Sequence, residues 1–330
     1  MIRQLSAAHR SRPLATPFRI ARGVKTVADT VEVSLRQGGH VGRGESVPYS
    51  RYGETVPLVL AQIGSVRADL EHGAGRRDLQ VLLPPGAARN ALDTALWDLE
   101  SRQAGVPVDA RLGQPPLENM VSALTLSLDT PEKMAAAAAA VATAPLIKLK
   151  VDAWSPTERI RAVRQSAPLA RLIVDPNESW DMALLRDMQP ILVENDVALV
   201  EQPLPADDDQ ALEGFTPARP ICADESCHVA ADLPRLRGRY QAVNIKLDKT
   251  GGLTGALQLL EAAQADGFLV MVGCMVGSSL GIAPALHVAR HAAFVDLDGP
   301  WWLQQDMPGG VHFQQGHLLP PSAGFWGGDA

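Results

Sequence analysis

From residue 121 onward the chain alternates short apolar runs with longer amphipathic stretches. The runs are VSALTLSL (121–128), then LIKLKV, RLIVDPN, VALVEQP, PICADES, AVNIKLD, LVMVGCM and AFVDLD. Each has the length and composition of one strand buried on both faces. Polar residues close the second to sixth runs at Lys150, Asp175, Glu201, Asp224 and Lys246, at intervals of 22 to 26 residues. A strand, a helix and two turns fill such an interval, so the pattern predicts a βα repeat. Eight such strands predict an α/β fold closed into a TIM-like barrel. A doubly wound sheet is the weaker reading because no GxGxxG follows an early strand.

The first part of the chain has a different rhythm. TVEVSLRQ (30–37) alternates apolar and polar residues as a half-buried strand does, and GGHVGRGE (38–45) predicts a turn into a second strand. GAARNALDTALWDLESRQAG (86–105) places Ala88, Leu92, Ala95, Leu96 and Leu99 on one helical face and stops at Gly105. The expected organisation is an α+β capping domain over 1–115 and a (β/α)7β barrel over 116–304, with a tail (305–330) free to join the cap. Alanine-rich PEKMAAAAAAVATA (131–144) predicts a helix, and WSPTER (154–159) predicts a helix start with Ser155 as N-cap and Pro156 in the first turn.

Composition narrows the partners. The net charge of −7 offers no basic footprint for nucleic acid, and no apolar run approaches the roughly 18 residues of a membrane span. The N-terminal stretch lacks the ~7–15-residue apolar core of an export signal, so a cytoplasmic enzyme is expected. Cys222, Cys227 and Cys274 show no CxxC spacing, against both a disulfide framework and a thiolate zinc site. A small molecule is the expected partner, with a homo-oligomer left open.

Candidate chemistry sits at the strand ends. Residues i and i+2 of a strand share a face, so Lys148 and Lys150 point into one space. Asp175, Glu201 and Asp224 close consecutive strands, and three convergent carboxylates call for a hard divalent cation such as Mg2+. Lys246, on the sixth strand, lies across the barrel from the second. A lysine beside other cations is expected to have a lowered pKa and to act as a base, with Lys148 and the ion acting on Lys150. A base beside a divalent ion suits removal of a proton next to a carboxylate through an ene-diolate. Two bases on opposite faces predict inversion at carbon.

These stretches resemble a known family. IKLKVD, VDPNESW, VEQPL, ADES and NIKLDKTGGLT look like the metal and base motifs of the muconate-lactonizing subgroup of the enolase superfamily. AARNALDTALWDLESR and GCMVGSSLGIAPALH extend the match over most of the chain. The Lys-plus-Mg2+ arrangement is the known pattern of enolase-superfamily sites, and these residues match that pattern. The resemblance implies one Mg2+ per subunit on Asp175, Glu201 and Asp224, with Lys150 and Lys246 as acid/base catalysts and Lys148 at the substrate carboxylate. Asp296 and Asp298 in FVDLDGP are similar to the acidic pair by which dipeptide epimerases hold an α-ammonium group. The nearest likeness is to the L-Ala-D/L-Glu epimerases of peptidoglycan recycling. TPFRIARG (16–23) and PYSRYGE (48–54) look like their substrate-covering loops, and Arg22, ahead of Arg19 and Arg51, is the first candidate for a glutamate side chain. The alternatives are a cycloisomerase, an o-succinylbenzoate synthase or an N-acylamino acid racemase. His287 and His291 have helical metal spacing but lack the Glu of HExxH, so packing is the better account.

Overall fold

A computed structural model describes residues 3–328. The chain opens with a three-stranded antiparallel meander, β1 (Gln4–Ile20), β2 (Gly23–Gln37) and β3 (His40–Ser46). Val31, Val33 and Leu35 of β2 are buried while Glu32 and Ser34 are partly open, as the alternation in TVEVSLRQ predicts. Beyond a register shift between Pro13 and Phe18, β1 runs on to Ile20, so TPFRIARG is largely the far end of a long hairpin and not a free loop.

Four helices follow, α1 (Val56–Ser65), α2 (Arg67–Glu71), α3 (Arg76–Leu82) and α4 (Ala87–Ala104). The last ends at Gly105 in the left-handed conformation, φ 61°. Its predicted apolar face is buried against the meander, but Asn90, Asp93 and Asp98 are also buried, at 2%, 0% and 0% exposure. They are buried because α4 lies between the cap and the barrel and spends these groups on hydrogen bonds. Asn90 Nδ2 donates to Asp248 Oδ1 (2.8 Å), Thr254 N to Asp93 Oδ2 (2.9 Å) and Gly327 N to Asp98 Oδ1 (2.8 Å). The glycines of GGHVGRGE divide their roles. Gly38 and Gly39 make the turn at positive φ, whereas Gly42 and Gly44 let α4 lie directly on β3.

The short β4 (Met120–Val121) precedes the barrel strands β5 (Leu124–Leu126), β6 (Leu146–Lys150), β7 (Arg171–Asp175), β8 (Val197–Glu201), β9 (Ile221–Ala223), β10 (Ala242–Ile245), β11 (Leu269–Gly273) and β12 (Phe294–Asp296). All eight lie within the eight apolar runs and pair in parallel in sequence order. Ala123 N donates to Val295 O (2.8 Å) and brings the first and last strands together. A TIM-like barrel under an α+β cap results. In the tail, β13 (His312–Gln314) and β14 (His317–Leu319) form a small sheet with β4, and Trp326 Nε1 donates to Arg43 O (3.0 Å) on the cap. Ser155 precedes the helix Pro156–Ser166 at φ 49° but makes no side-chain cap, so the first-turn proline carries that start. Among the described residues no helix is long and apolar enough to cross a membrane.

The barrel interior is layered. Ala123, Leu146, Ile173, Leu199, Cys222, Ala242, Met271 and Phe294 form one apolar cluster at the entering ends of the strands. Two residues further along, on the same inward face, stand Thr125, Lys148, Asp175, Glu201, Asp224, Asn244, Gly273 and Asp296. Strand periodicity therefore converts an apolar plug into a polar floor within one step of two residues.

A Cβ on Gly44 would run into Ala91 O and the Thr94 side chain. Gly44→Ala is expected to lower the unfolding free energy in urea by about 1–3 kcal/mol through overpacking. Asp93 supplies a pH signature for the seam. Burial pushes its carboxyl up to about 6, against the pull of Thr254 and the nearby arginines. Stability tied to a raised carboxyl is complete below its ordinary pKa and is lost as pH rises through the folded value. The unfolding free energy of Asp93→Asn in urea should therefore gain on that of the native chain between pH 5 and 7.5, by about 1 kcal/mol; parallel pH profiles would contradict a buried, ionising Asp93.

Candidate active site

A cavity of about 390 Å3 opens above the polar floor, between the barrel mouth and the hairpin tip of the cap. Lys148, Lys150, Asp224, Lys246, Asp296, Asp298 and Arg22 all line it. Asp175 and Glu201 lie deeper and meet it through the lysines. Nine residues singled out from sequence are thus brought to one place.

Lys148 is the hub. Its Nζ lies 3.0 Å from Asp175 Oδ2, 2.6 Å from Glu201 Oε2 and 2.8 Å from Asp296 Oδ2, with the side chain 2% exposed. Burial opposes an ammonium charge, but Asp296, Glu201 and Asp175 together hold its pKa well above the ordinary lysine value. Lys150 Nζ contacts Asp175 Oδ2 at 2.5 Å, and across the barrel Lys246 Nζ contacts Asp224 Oδ2 at 2.7 Å. In an eight-strand ring β6 and β10 stand opposite, so the two terminal amines approach the cavity from facing walls. Gly273 helps here, because a Cβ would lie 2.8 Å from the Asn244 side chain and 3.0 Å from Lys246 Cε.

At Lys246 the surrounding protein groups favour the charged amine. Against the effect of burial, Asp224 and Glu201 raise Lys246. The carboxylates respond in turn. Asp175, despite burial, is drawn to about 2 by Lys150 and Lys148, and Asp224, also against burial, falls well below its ordinary value through Lys246 and Lys249. Glu201, buried and beside Asp175, is raised. Both downward shifts trace to ion pairs shorter than 3.1 Å between buried side chains.

The donor set of Asp175, Glu201 and Asp224 is all oxygen and fully buried, which suits a hard divalent cation. Glu201 Oε2 is buried without a directed hydrogen bond despite the nearby Lys148, as are Asn244 Oδ1 and Glu225 Oε2. As the side chains stand, each carboxylate is drawn to a lysine, and no three His, Cys, Asp or Glu among the described residues converge closely enough to hold an ion. The chemistry of the donors fits Mg2+, and small side-chain rotations would have to bring them together.

Asp296 and Asp298 are stitched to β5 by Thr125, whose N donates to Asp298 Oδ2 (2.7 Å) and whose hydroxyl reaches Asp296 Oδ1 (3.3 Å). Burial and the neighbouring Asp296 push Asp298 up to about 7. Arg22 reaches the cavity wall, but its guanidinium is committed to Glu225 Oε1 (2.6 Å), Glu178 Oε2 (2.8 Å) and Asn177 O (2.9 Å). It latches the hairpin tip to the barrel. Arg51 is bound by both oxygens of Glu178, and Arg19 pairs with Asp129. His287 is buried against Trp326, in keeping with packing.

Sequence reasoning passed over four residues. Asn244 donates to Glu201 Oε1 (2.8 Å), and its place two before Lys246 in NIKLD was the available signal. Thr125 had the same signal as part of the first strand. Lys249 is fully buried on Asp224, where no periodicity marks it. Lys25 lines the cavity over the Tyr49 ring (4.9 Å), with no carboxylate within ion-pairing distance among the described residues, and burial lowers its pKa.

Comparison with known proteins agrees with this geometry. Residues 2–113 match the mandelate racemase / muconate lactonizing enzyme N-terminal domain and residues 133–325 the enolase C-terminal domain-like family. The chain is 48% identical over 308 residues to an L-Ala-D/L-Glu epimerase of Escherichia coli (strain K12), covering 93% of this chain and 96% of that one. It is 45% identical over 290 residues to an N-acetyl-D-glutamate racemase of a Pseudoalteromonas species, covering 87% and 91%. Among solved structures it resembles an Agrobacterium tumefaciens enolase family member with homology to dipeptide epimerases, holding sodium and L-Ala-L-Glu (TM-score 0.96, 45% identity, 98% and 100% covered). A dipeptide epimerase of Enterococcus faecalis complexed with Mg and L-Leu-L-Tyr superposes at TM-score 0.90, with 27% identity and 99% of each chain covered. The parallel barrel, its α+β cap and both family matches together establish that the chain belongs to the mandelate racemase/muconate lactonizing enzyme group of the enolase superfamily.

Proposed function

We propose that the chain is a dipeptide epimerase that interconverts L-Ala-L-Glu and L-Ala-D-Glu by a two-base proton transfer at the glutamate α-carbon. The observation that carries this reading is the pairing of Lys150 and Lys246 on facing walls of one cavity, with an acidic pair on a third wall. One amine takes the α-proton and the other returns a proton from the opposite face, which inverts the carbon. Lys148, held protonated by its carboxylates, offers a fixed positive charge to the substrate α-carboxylate. Asp175, Glu201 and Asp224 would hold Mg2+, which when bound would supply positive charge beside the substrate carboxylate and would offset the carboxylates around Lys246.

Asp296 and Asp298 suit the α-ammonium group of a dipeptide, a group that muconate and N-acylated amino acids lack. Similarity to the Pseudoalteromonas racemase favours a second reading, racemisation of an N-acylated glutamate. The acidic pair speaks against it, since an acyl group brings no cation to Asp298 and leaves Asp296 with Lys148 alone. For the glutamate side chain, Lys25 replaces Arg22 as the candidate, because Arg22 is already bound by Glu178 and Glu225 whereas Lys25 faces the cavity without an acidic partner among the described residues.

Lys150→Ala and Lys246→Ala should each slow epimerisation by about 10²–10⁴-fold. In D2O each variant should still exchange the α-proton of one epimer, a different one for each; full turnover in either would end the two-base reading. Lys25→Met should lower kcat/KM for L-Ala-L-Glu by about 10–100-fold, the worth of one charged hydrogen bond. An uncharged dipeptide such as L-Ala-L-Met should be nearly unaffected, and equal losses on both substrates would remove Lys25 from side-chain recognition.

A further inference from the structure

Lys249 stands apart from the three barrel lysines that line the site. Lys148, Lys150 and Lys246 line the cavity, but Lys249 does not, and its side chain is 0% exposed. It sits on the helical turn Leu247–Thr250 that begins directly after Lys246. From there its ammonium donates to Asp224 Oδ1 (2.7 Å), Asp224 O (2.6 Å) and Asn244 O (2.8 Å). All three N–H groups are satisfied, which is the condition for burying a full charge.

The contacts divide the two oxygens of Asp224. Oδ1 is held by Lys249, which does not line the cavity, and Oδ2 by Lys246, which does. The backbone is fixed from the same rear side. Asp224 N donates to Gln202 Oε1 (2.9 Å), an amide that follows Glu201 at φ 35° and also accepts from Ser226 N (3.1 Å). Oδ2 is thus the oxygen on the side of Lys246, which lines the cavity.

We propose that Lys249 is a positioning residue for cation binding, bracing Asp224 from behind so that this carboxylate presents a single oxygen to the ion. The inference rests on the reading of Asp224 as a cation ligand. A lysine is suited to the task because it spans from the helical turn to the strand end, and its charge offsets one carboxylate without occupying the space the ion needs. Loss of such an outer partner of a ligand weakens metal binding by about 10–100-fold.

Calorimetric titration of the whole chain with Mg2+, without dipeptide, tests the brace. Lys249→Met keeps the length and removes the charge, and its Mg2+ dissociation constant is expected to rise about 10–100-fold. Lys249→Gln, which retains an N–H for Asp224, provides a second variant less prone to misfolding, with an intermediate rise expected. Leu259→Ala, in the barrel's outer core, should lower the melting temperature while leaving the Mg2+ dissociation constant within about two-fold of the native value. A folded Lys249 variant that bound Mg2+ as the native chain does would overturn the brace and leave the epimerase reading intact. A native chain that took up no Mg2+ would overturn the cation site, and the brace with it.

Discussion

The structure depends on placing a ring of charge inside a protein. Lys148 is 2% exposed, and Asp175, Glu201 and Asp224 are 0–2% exposed, so no bulk water solvates them. Single ions in such surroundings are strongly disfavoured, and they persist only when paired and hydrogen-bonded. The fold meets that demand by flanking three consecutive carboxylates with lysines from either side of the barrel. Lysines from β6, from the end of β10 and from the turn after it pair with carboxylates from β7, β8, β9 and β12.

An apolar layer makes this arrangement stable. The cluster of Ala123, Leu146, Ile173, Leu199, Cys222, Ala242, Met271 and Phe294 seals the barrel one step below the charges. It excludes water from below and gives the charged side chains a rigid floor. The low dielectric it creates strengthens each ion pair, so lysines draw Asp175 and Asp224 down against burial, whereas burial and the neighbouring Asp175 raise Glu201. The same setting favours chemistry in which charge develops on a bound carboxylate.

The cap contributes position more than charge. Its helix α4 buries Asn90, Asp93 and Trp97 against the segment that follows Lys246, through bonds to Asp248 and Thr254. The hairpin tip is latched by Arg22 to Glu178 and Glu225, which follow the cation-ligand candidates closely in sequence. The cap thereby controls both the wall behind one proposed base and the roof over the substrate. Arg22 makes that latch, and Lys25 lines the cavity beside it.

The sequence by itself determined the strands and the residues that close them. Parallel strands buried on both faces are legible as apolar runs, and period-two alternation puts Lys148 and Lys150 on one face of whatever sheet their strand joins. Candidate cation ligands and both proposed bases were legible for that reason. The tertiary structure alone decided which charges face one another. Arg22 and Glu225, or Lys249 and Asp224, lie far apart along the chain, and no local period links them. It also decided that Lys148 and Lys246, each set beside carboxylates, hold their protons more tightly than a free lysine does. Local geometry sets which way a side chain points, but the sign and distance of its neighbours are settled only when separate strands close into a barrel.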